Sequence, residues 1–420
     1  MLRDYLLFLA RACKLSFMGG PAFYAWMIFL TVLCGIGGNA YMHQFVNGLG
    51  STGMTDQVSW GAYIANFTFL VGVAAAAVML VIPAYVYRNK EMHDVVLFGE
   101  LLAISAIVMC LVFVTVDLGR PDRFWHLIPV IGKFNFPISL LSWDVIVLNG
   151  YLVLNLHICG YLLYCKYHDR KPTWLFYIPF VFIAIVWAVS IHTVTAFLYV
   201  GLVGRPFWNA AIIAPRFLCS AFVAGPAILI LAFQIIRRVS SYEIPDKGLH
   251  LLRNIVTTAL LINLFLFSCE VFKEYYSGAL HSASMTYLLQ GLEHHGHTYN
   301  ALVPWIWSAL TLEAIAAVIL ITPLGKKLGY LDVACFFCIV GVWIEKGMGL
   351  IVPGFIPTPL GNVVEYLPTT NELLICMGAW AFGILLYSWM LRVAIPIMSG
   401  QFSHEKGIAL STPVTREGEV

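Results

Sequence analysis

Ten long, nearly uncharged apolar runs recur along the chain and constrain its fold more than any motif does. They lie at about 21–45, 58–86, 95–117, 139–165, 173–199, 208–236, 251–275, 301–323, 329–352 and 371–397. A helix needs about 20 apolar residues to cross a bilayer core, and each run has that length. In lipid a backbone must satisfy its own N–H and C=O groups, which favours helices. A membrane β-barrel would show short alternating segments instead. Only 11% of the residues are charged and 60% are hydrophobic, whereas an ordinary soluble domain is about a quarter charged. The expected fold class is an all-α integral membrane protein with about ten transmembrane helices.

The net charge of +2 gives no reason to expect nucleic acid, because the basic residues lie in the loops between spans. Arg3, Arg11 and Lys14 precede a run too long for the apolar core of a signal peptide, so no cleavable signal is expected. With ten spans the termini share one side. Of the 24 Lys and Arg, only Arg120, Arg123, Lys133, Arg205 and Lys273 fall on the other side, with Arg216 and Lys346 inside spans. Arg88, Lys406 and Arg416 are among the majority. The bias of basic loops towards the cytoplasm then places both termini inside the cell, in the cytoplasmic membrane.

A weak internal repeat divides the chain. Span 2 (63–76) and span 6 (213–227) carry similar small-residue faces, which let helices approach closely. Spans 3 and 7 both end in an acid, Asp117 and Glu270. Spans 5 and 9 both carry late polar groups, His192 and Glu345/Lys346. This pattern predicts two four-helix bundles, spans 2–5 and 6–9, in parallel copies and flanked by spans 1 and 10. The expected divisions are an N-terminal segment with the first span (1–57), a first bundle (58–199), a second bundle (200–352), and the last span with a polar cytoplasmic tail (353–420).

The chemistry concentrates where span 3 leaves the membrane, at Asp117-Leu-Gly-Arg-Pro-Asp-Arg-Phe-Trp125, with an echo at Gly204-Arg-Pro-Phe-Trp-Asn209. Ionisable groups within spans are costly and usually face a cavity or a partner. Here they are Glu100, Asp144, His157, His192, Arg216, Glu270, Glu313, Glu345 and Lys346. The outer ends of spans 2–5 bring Trp60, Tyr63, Asn66, Asp117, Arg120, Asp144 and His192 into one region. A quinone site needs an apolar slot, hydrogen-bond partners for two oxygens, and a group that takes up protons near neutral pH. These residues meet that demand, with His192, Asp117 and Asp144 as the chemical groups. The plainer alternative is an Asp117–Arg120 ion pair tying a loop, with His192 bonded to a neighbouring carbonyl. In the second bundle, Arg216, Glu270, Glu313, Glu345 and Lys346 form either a proton path, with Glu100 as its cytoplasmic intake, or a self-neutralised set that fixes helix register.

Other redox devices fit less well. His43, His157 and His192 lie at depths that do not pair for a transmembrane haem, so no haem is expected. The Cys335-Phe-Phe-Cys338 spacing has no second pair, so neither a metal site nor an iron–sulfur cluster is expected in this chain. The loop Glu293-His-His-Gly-His297 is read as solvated or interfacial surface. Apolar and aromatic residues in loops 118–138 and 353–370 suggest cover by a partner subunit; the headgroup belt, which also enriches Trp and Tyr, is the other reading.

Ser59-Trp-Gly61 opening span 2, Asp117-Leu-Gly-Arg-Pro121, Ser142-Trp-Asp144 and Arg205-Pro-Phe-Trp-Asn209, in this order and spacing, resemble the NrfD/PsrC family, the membrane subunits of polysulfide reductases. Within it, 190–198 and 344–355 look most like the DsrP-type subunits of DsrMKJOP complexes tied to sulfite reduction; Hme and Hmc complexes have similar subunits. The resemblance implies a subunit without haem or cluster that binds menaquinone at its outer end. It would exchange electrons with a ferredoxin-like iron–sulfur subunit on the extracytoplasmic face. A multihaem cytochrome c, a haem b membrane subunit and a cytoplasmic iron–sulfur protein would complete such a complex. The quinone-contacting Asn/His pair of polysulfide reductase has no counterpart here; Ile64 and Phe67 stand near those places. A transporter without redox chemistry, or a passive anchor, are the alternatives from other functional classes.

Overall fold

The computed structural model describes residues 2–408 apart from 88–89, 94, 279–281 and 406. Arg88, Lys406, Arg416 and the tail from 409, used in the orientation argument, lie outside the described residues. Among the described residues, ten helices are long and apolar enough to cross a membrane. Spans 1–5 are Pro21–Asn47, Ala62–Val86, Val96–Asp117, Leu140–Tyr167 and Trp174–Val200. Spans 6–10 are Ile213–Val239, Asp246–Tyr276, Val303–Ile321, Leu328–Phe355 and Thr370–Met398. The protein is an all-α, multi-pass membrane protein.

Local chemistry accounts for many of the boundaries. Spans 1 and 8 carry Pro in their first turn, where its missing N–H costs nothing. Span 3 stops at Asp117 just before Gly119-Arg120-Pro121, because Pro disfavours a helical residue ahead of it. Span 10 begins in a capping box: Thr369 accepts from the Glu372 N–H, and Glu372 accepts from the Thr369 N–H. Span 9 is interrupted by a π-helical turn at Trp343–Met348, which carries Glu345 and Lys346. Such turns are frequent at functional sites.

Spans 2–5 pack as one closed ring and spans 6–9 as a second. Span 10 packs on spans 1 and 3. The two small-residue faces found in the sequence pack against each other, since a Cβ on Gly72 would lie 3.4 Å from Ala221 Cα. Spans 2, 3, 6 and 9 form the buried centre, and spans 1, 4, 5 and 7 turn many apolar side chains outward. The lipid face is therefore as apolar as the core, as a bilayer requires.

Two elements were not expected. Leu2–Ser16 is a separate helix, too short to span, whose Phe8 and Leu15 are buried while Leu6, Leu7 and Leu9 are exposed. Phe8 packs its ring 5.1 Å from Tyr167 at the C-terminal end of span 4. Within 276–300, a short helix (Ser282–Leu289) precedes a hairpin of β1 (Leu292–His294) and β2 (His297–Tyr299). The His294 and His295 rings stand 4.1 Å apart at its turn.

Candidate functional site

Of the expected first-bundle cluster, His192 and Asp144 are buried polar residues facing that bundle, and Asp117 buries one carboxyl oxygen. His192, 1% exposed, places Nδ1 3.1 Å from the Ala188 carbonyl oxygen. A carbonyl can only accept, so Nδ1 carries the proton and Nε2 is left as an acceptor. Nε2 is buried and has no partner among the described residues. At the end of span 3, Asp117 Oδ1 is likewise shut off from solvent without a partner. Asp144, 2% exposed, accepts from Thr195 Oγ1 at 3.0 Å, which fastens span 4 to span 5 one turn from His192.

The other four turn to different partners. Arg120 does not pair with Asp117. Its guanidinium forks onto Asp122 at 3.0 and 2.9 Å, because the chain breaks at Gly119 and carries Arg120 out into solvent beside the turn that holds Asp122. Arg120 holds the Asp122 carboxyl below its ordinary range. Both side chains are well exposed, so the pair contributes little stability. Trp60 packs among Tyr199, Trp208 and Phe355, with ring centroids 5.7 to 5.8 Å away. Tyr63 donates to Gln44 Oε1 at 2.6 Å, and Gln44 donates to the Val116 carbonyl at 2.7 Å, tying spans 2, 1 and 3 together beside Asp117. Asn66 Oδ1 accepts from the Trp343 and Trp380 indoles at 2.9 and 2.8 Å. Asn66 therefore faces spans 9 and 10 rather than spans 3–5.

The second bundle holds a compact charge network. Arg216 forms ion pairs with both Glu270 and Glu345. Asn263 Nδ2 lies 3.4 Å from Glu345 Oε2. Lys346 donates to the Phe217 carbonyl at 3.3 Å and sits 4.4 Å from the Phe217 ring centre. Arg216, Ser220, Glu345 and Lys346 border a cavity of about 10 Å³, roughly the space of one water. Glu313 is fully buried and neither oxygen has a partner among the described residues. Glu100 stands apart from this group. Its partner is the Cys159 thiol at 3.5 Å, within the first bundle, and no hydrogen-bonded link to Arg216 exists among the described residues.

The echo motif has a structural task. Arg205 donates to the Phe355 carbonyl at 3.0 Å, and the Trp208 indole donates to the Leu350 carbonyl at 2.8 Å, so this loop clasps the C-terminal end of span 9. Sequence reasoning missed Gln44, Glu372 and the indoles of Trp343 and Trp380. Glu372 also accepts from Tyr366 OH at 2.7 Å and from the Gly53 N–H at 2.8 Å. Its Thr-x-x-Glu capping pattern is the one signal that could have marked it.

Comparison with known proteins agrees with this architecture. The chain is 24% identical over 383 residues to the Hdr-like menaquinol oxidoreductase integral membrane subunit of Archaeoglobus fulgidus, covering 87% of this chain and 91% of that protein. It is 22% identical over 404 residues to a selenate reductase subunit of Mesobacillus selenatarsenatis, covering 84% and 89%. Residues 50–356 match the family described as Polysulphide reductase, NrfD, and with that match over most of its length the chain belongs to the NrfD family.

Proposed function

We propose that this chain is the quinone-interacting membrane subunit of a respiratory redox complex, exchanging electrons between menaquinone and an iron–sulfur subunit docked outside. The observation that carries this reading is the pair of buried polar atoms without partners in the outer half of the first bundle, His192 Nε2 and Asp117 Oδ1. Such atoms are costly to bury unless something completes them. A menaquinol bound there supplies two electrons and two protons. His192 Nε2, already in the acceptor tautomer, holds one oxygen function and takes up its proton. Asp117 acts likewise towards the other. Asp144 and Thr195 keep span 5 in register, and the Trp60–Tyr199–Trp208–Phe355 wall excludes water.

The outer surface supports a docked partner. Loop 118–138 exposes Phe124, Trp125, Val130, Ile131, Phe136 and Ile138, an apolar patch of the kind that partners cover. The relatives are named as subunits of a menaquinol oxidoreductase and a selenate reductase. Together with the resemblance of 190–198 and 344–355, this favours a DsrMKJOP-type assembly in the cytoplasmic membrane. Its further members would be a multihaem cytochrome c, a haem b membrane subunit and a cytoplasmic iron–sulfur protein, with both termini of this chain cytoplasmic. A second reading, proton movement through the second bundle, is favoured by Glu313, whose buried carboxyl lacks partners next to the Arg216 network.

The test is menaquinol oxidation by the purified complex. His192→Ala and Asp117→Asn are expected to assemble with all subunits and to lose about a hundredfold or more in turnover, the scale of general acid–base catalysis. Turnover at the wild-type rate in both variants would overturn the site.

A further inference from the structure

Between spans 2, 8, 9 and 10 lies a cavity of about 300 Å³, at the lower edge of the range for small-molecule sites. Asn66, one turn into span 2, and Leu373, in the first turn of span 10, both place it in the outer half of the bundle. Three indoles wall it: Trp305 of span 8, Trp343 of span 9 and Trp380 of span 10. The Trp305 and Trp343 rings stand 6.2 Å apart at 37°. Leu373 is 51% exposed, so the cavity reaches the surface of the membrane-spanning region there.

The polar chemistry of this cavity is unusual. Asn66 is 2% exposed. Its Nδ2 donates to the Ala62 carbonyl at 2.8 Å, and its Oδ1 receives both the Trp343 and the Trp380 N–H. Two donors thus share one acceptor atom, which has a lone pair for each. A ligand oxygen entering the cavity can take over one of these N–H groups while the other stays on the amide. The cavity therefore offers flat aromatic walls, one exchangeable hydrogen-bond donor and no charge. Charged or hydroxyl-rich ligands would lose their hydration there without compensation. An acyl chain would leave the donor unused. A planar carbonyl-bearing ring uses both the walls and the donor.

We propose that this cavity binds the fused-ring headgroup of a prenylated naphthoquinone. One carbonyl accepts from Trp343 or Trp380, and the prenyl tail leaves over Leu373 into lipid. The proposal rests on the quinone reading above but names a second position, bordered by spans 8, 9 and 10 rather than by spans 3–5. Asn66 lines this cavity, whereas Tyr63, on the same face of span 2, is tied through Gln44 to the Val116 carbonyl at the end of span 3.

The test is photolabelling of the intact complex in membrane vesicles with an azido-naphthoquinone, followed by peptide mapping. Label is expected on the segments 339–348 and 373–380, suppressed by excess unlabelled short-chain menaquinone. Trp380→Phe, which removes one donor, is expected to lower that label by up to about tenfold. Cys376→Phe, which puts a ring into the cavity, is expected to abolish it while label near Asp117 and His192 persists. Label confined to spans 3 and 5 would overturn this site and leave the quinone reading standing. Labelling of 339–348 and 373–380 that menaquinone does not suppress, but that a photoreactive phosphatidylcholine reproduces, would make the cavity an acyl-chain site. No specific label anywhere would count against both. The competition arm needs no variant, so the result holds even if Cys376→Phe does not assemble.

Discussion

A guanidinium inside a membrane span persists only where fixed charges and hydrogen bonds replace its water, and Arg216 meets that condition through Glu270 and Glu345. Removing it would leave two carboxylates buried and facing one another. Breaking a buried ion pair from one side costs about 3–5 kcal/mol. Arg216→Leu is therefore expected to lower the melting temperature of the detergent-purified complex by several degrees, with Arg216→Lys in between; an unchanged melting curve for Arg216→Leu would contradict the network. At this scale the sequence was informative about charge. Membership of the same four-span bundle was enough to group Arg216 with Glu270 and Glu345. It was uninformative about rotation. Spans 2 and 3 are apolar on every face, so no amphipathic stripe shows which way Tyr63 or Asn66 points. Their partners Gln44, Trp343 and Trp380 lie on helices distant in sequence, and pairing across helices left no trace in the local pattern. The Asp117–Arg120 pairing failed for a related reason, since a Gly-Arg-Pro turn redirects the chain in a way that a separation of three residues does not reveal.

Among the elements, the contact of span 1 with span 10 depends most on side-chain size. A Cβ on Gly378 would lie 2.7 Å from Gly37 Cα, nearer than a carbon can approach without movement. Gly378→Val is expected to push span 1 away from span 10 and destabilise the protein by about 1–3 kcal/mol, the usual cost of overpacking. Thermal unfolding would register this, and cross-linking of cysteines placed on the facing turns would fall. Wild-type stability and cross-linking would mean that the helices do not meet at this pair. All ten spans were legible in the sequence because hydropathy over about 20 residues is a strong signal. The N-terminal helix was not, because 15 residues are too few to span and its apolar side chains divide between protein contact and exposure. The π turn at Trp343–Met348 was also silent, as one extra residue per turn leaves no compositional mark.

At the scale of the molecule, two four-span rings back each other through spans 2, 6 and 9, and polar atoms without partners among the described residues fall on both sides of that seam. The apolar loop 118–138 adjoins the end of span 3, where Asp117 stands. A partner seated on that loop would lie directly over the proposed quinone-reactive end, which is the geometric basis for assigning electron exchange to this face. The small-residue faces of spans 2 and 6 were readable in the sequence. The way those faces meet, Gly72 against Ala221, required the fold. The most direct test is a cryo-EM map of the natively purified complex at the outer end of the first bundle. The account predicts an iron–sulfur subunit seated on loop 118–138, both termini of this chain on the opposite side, and flat ring density against His192 and Asp117. A partner docked elsewhere, with His192 and Asp117 completed only by this chain's own side chains, would contradict it.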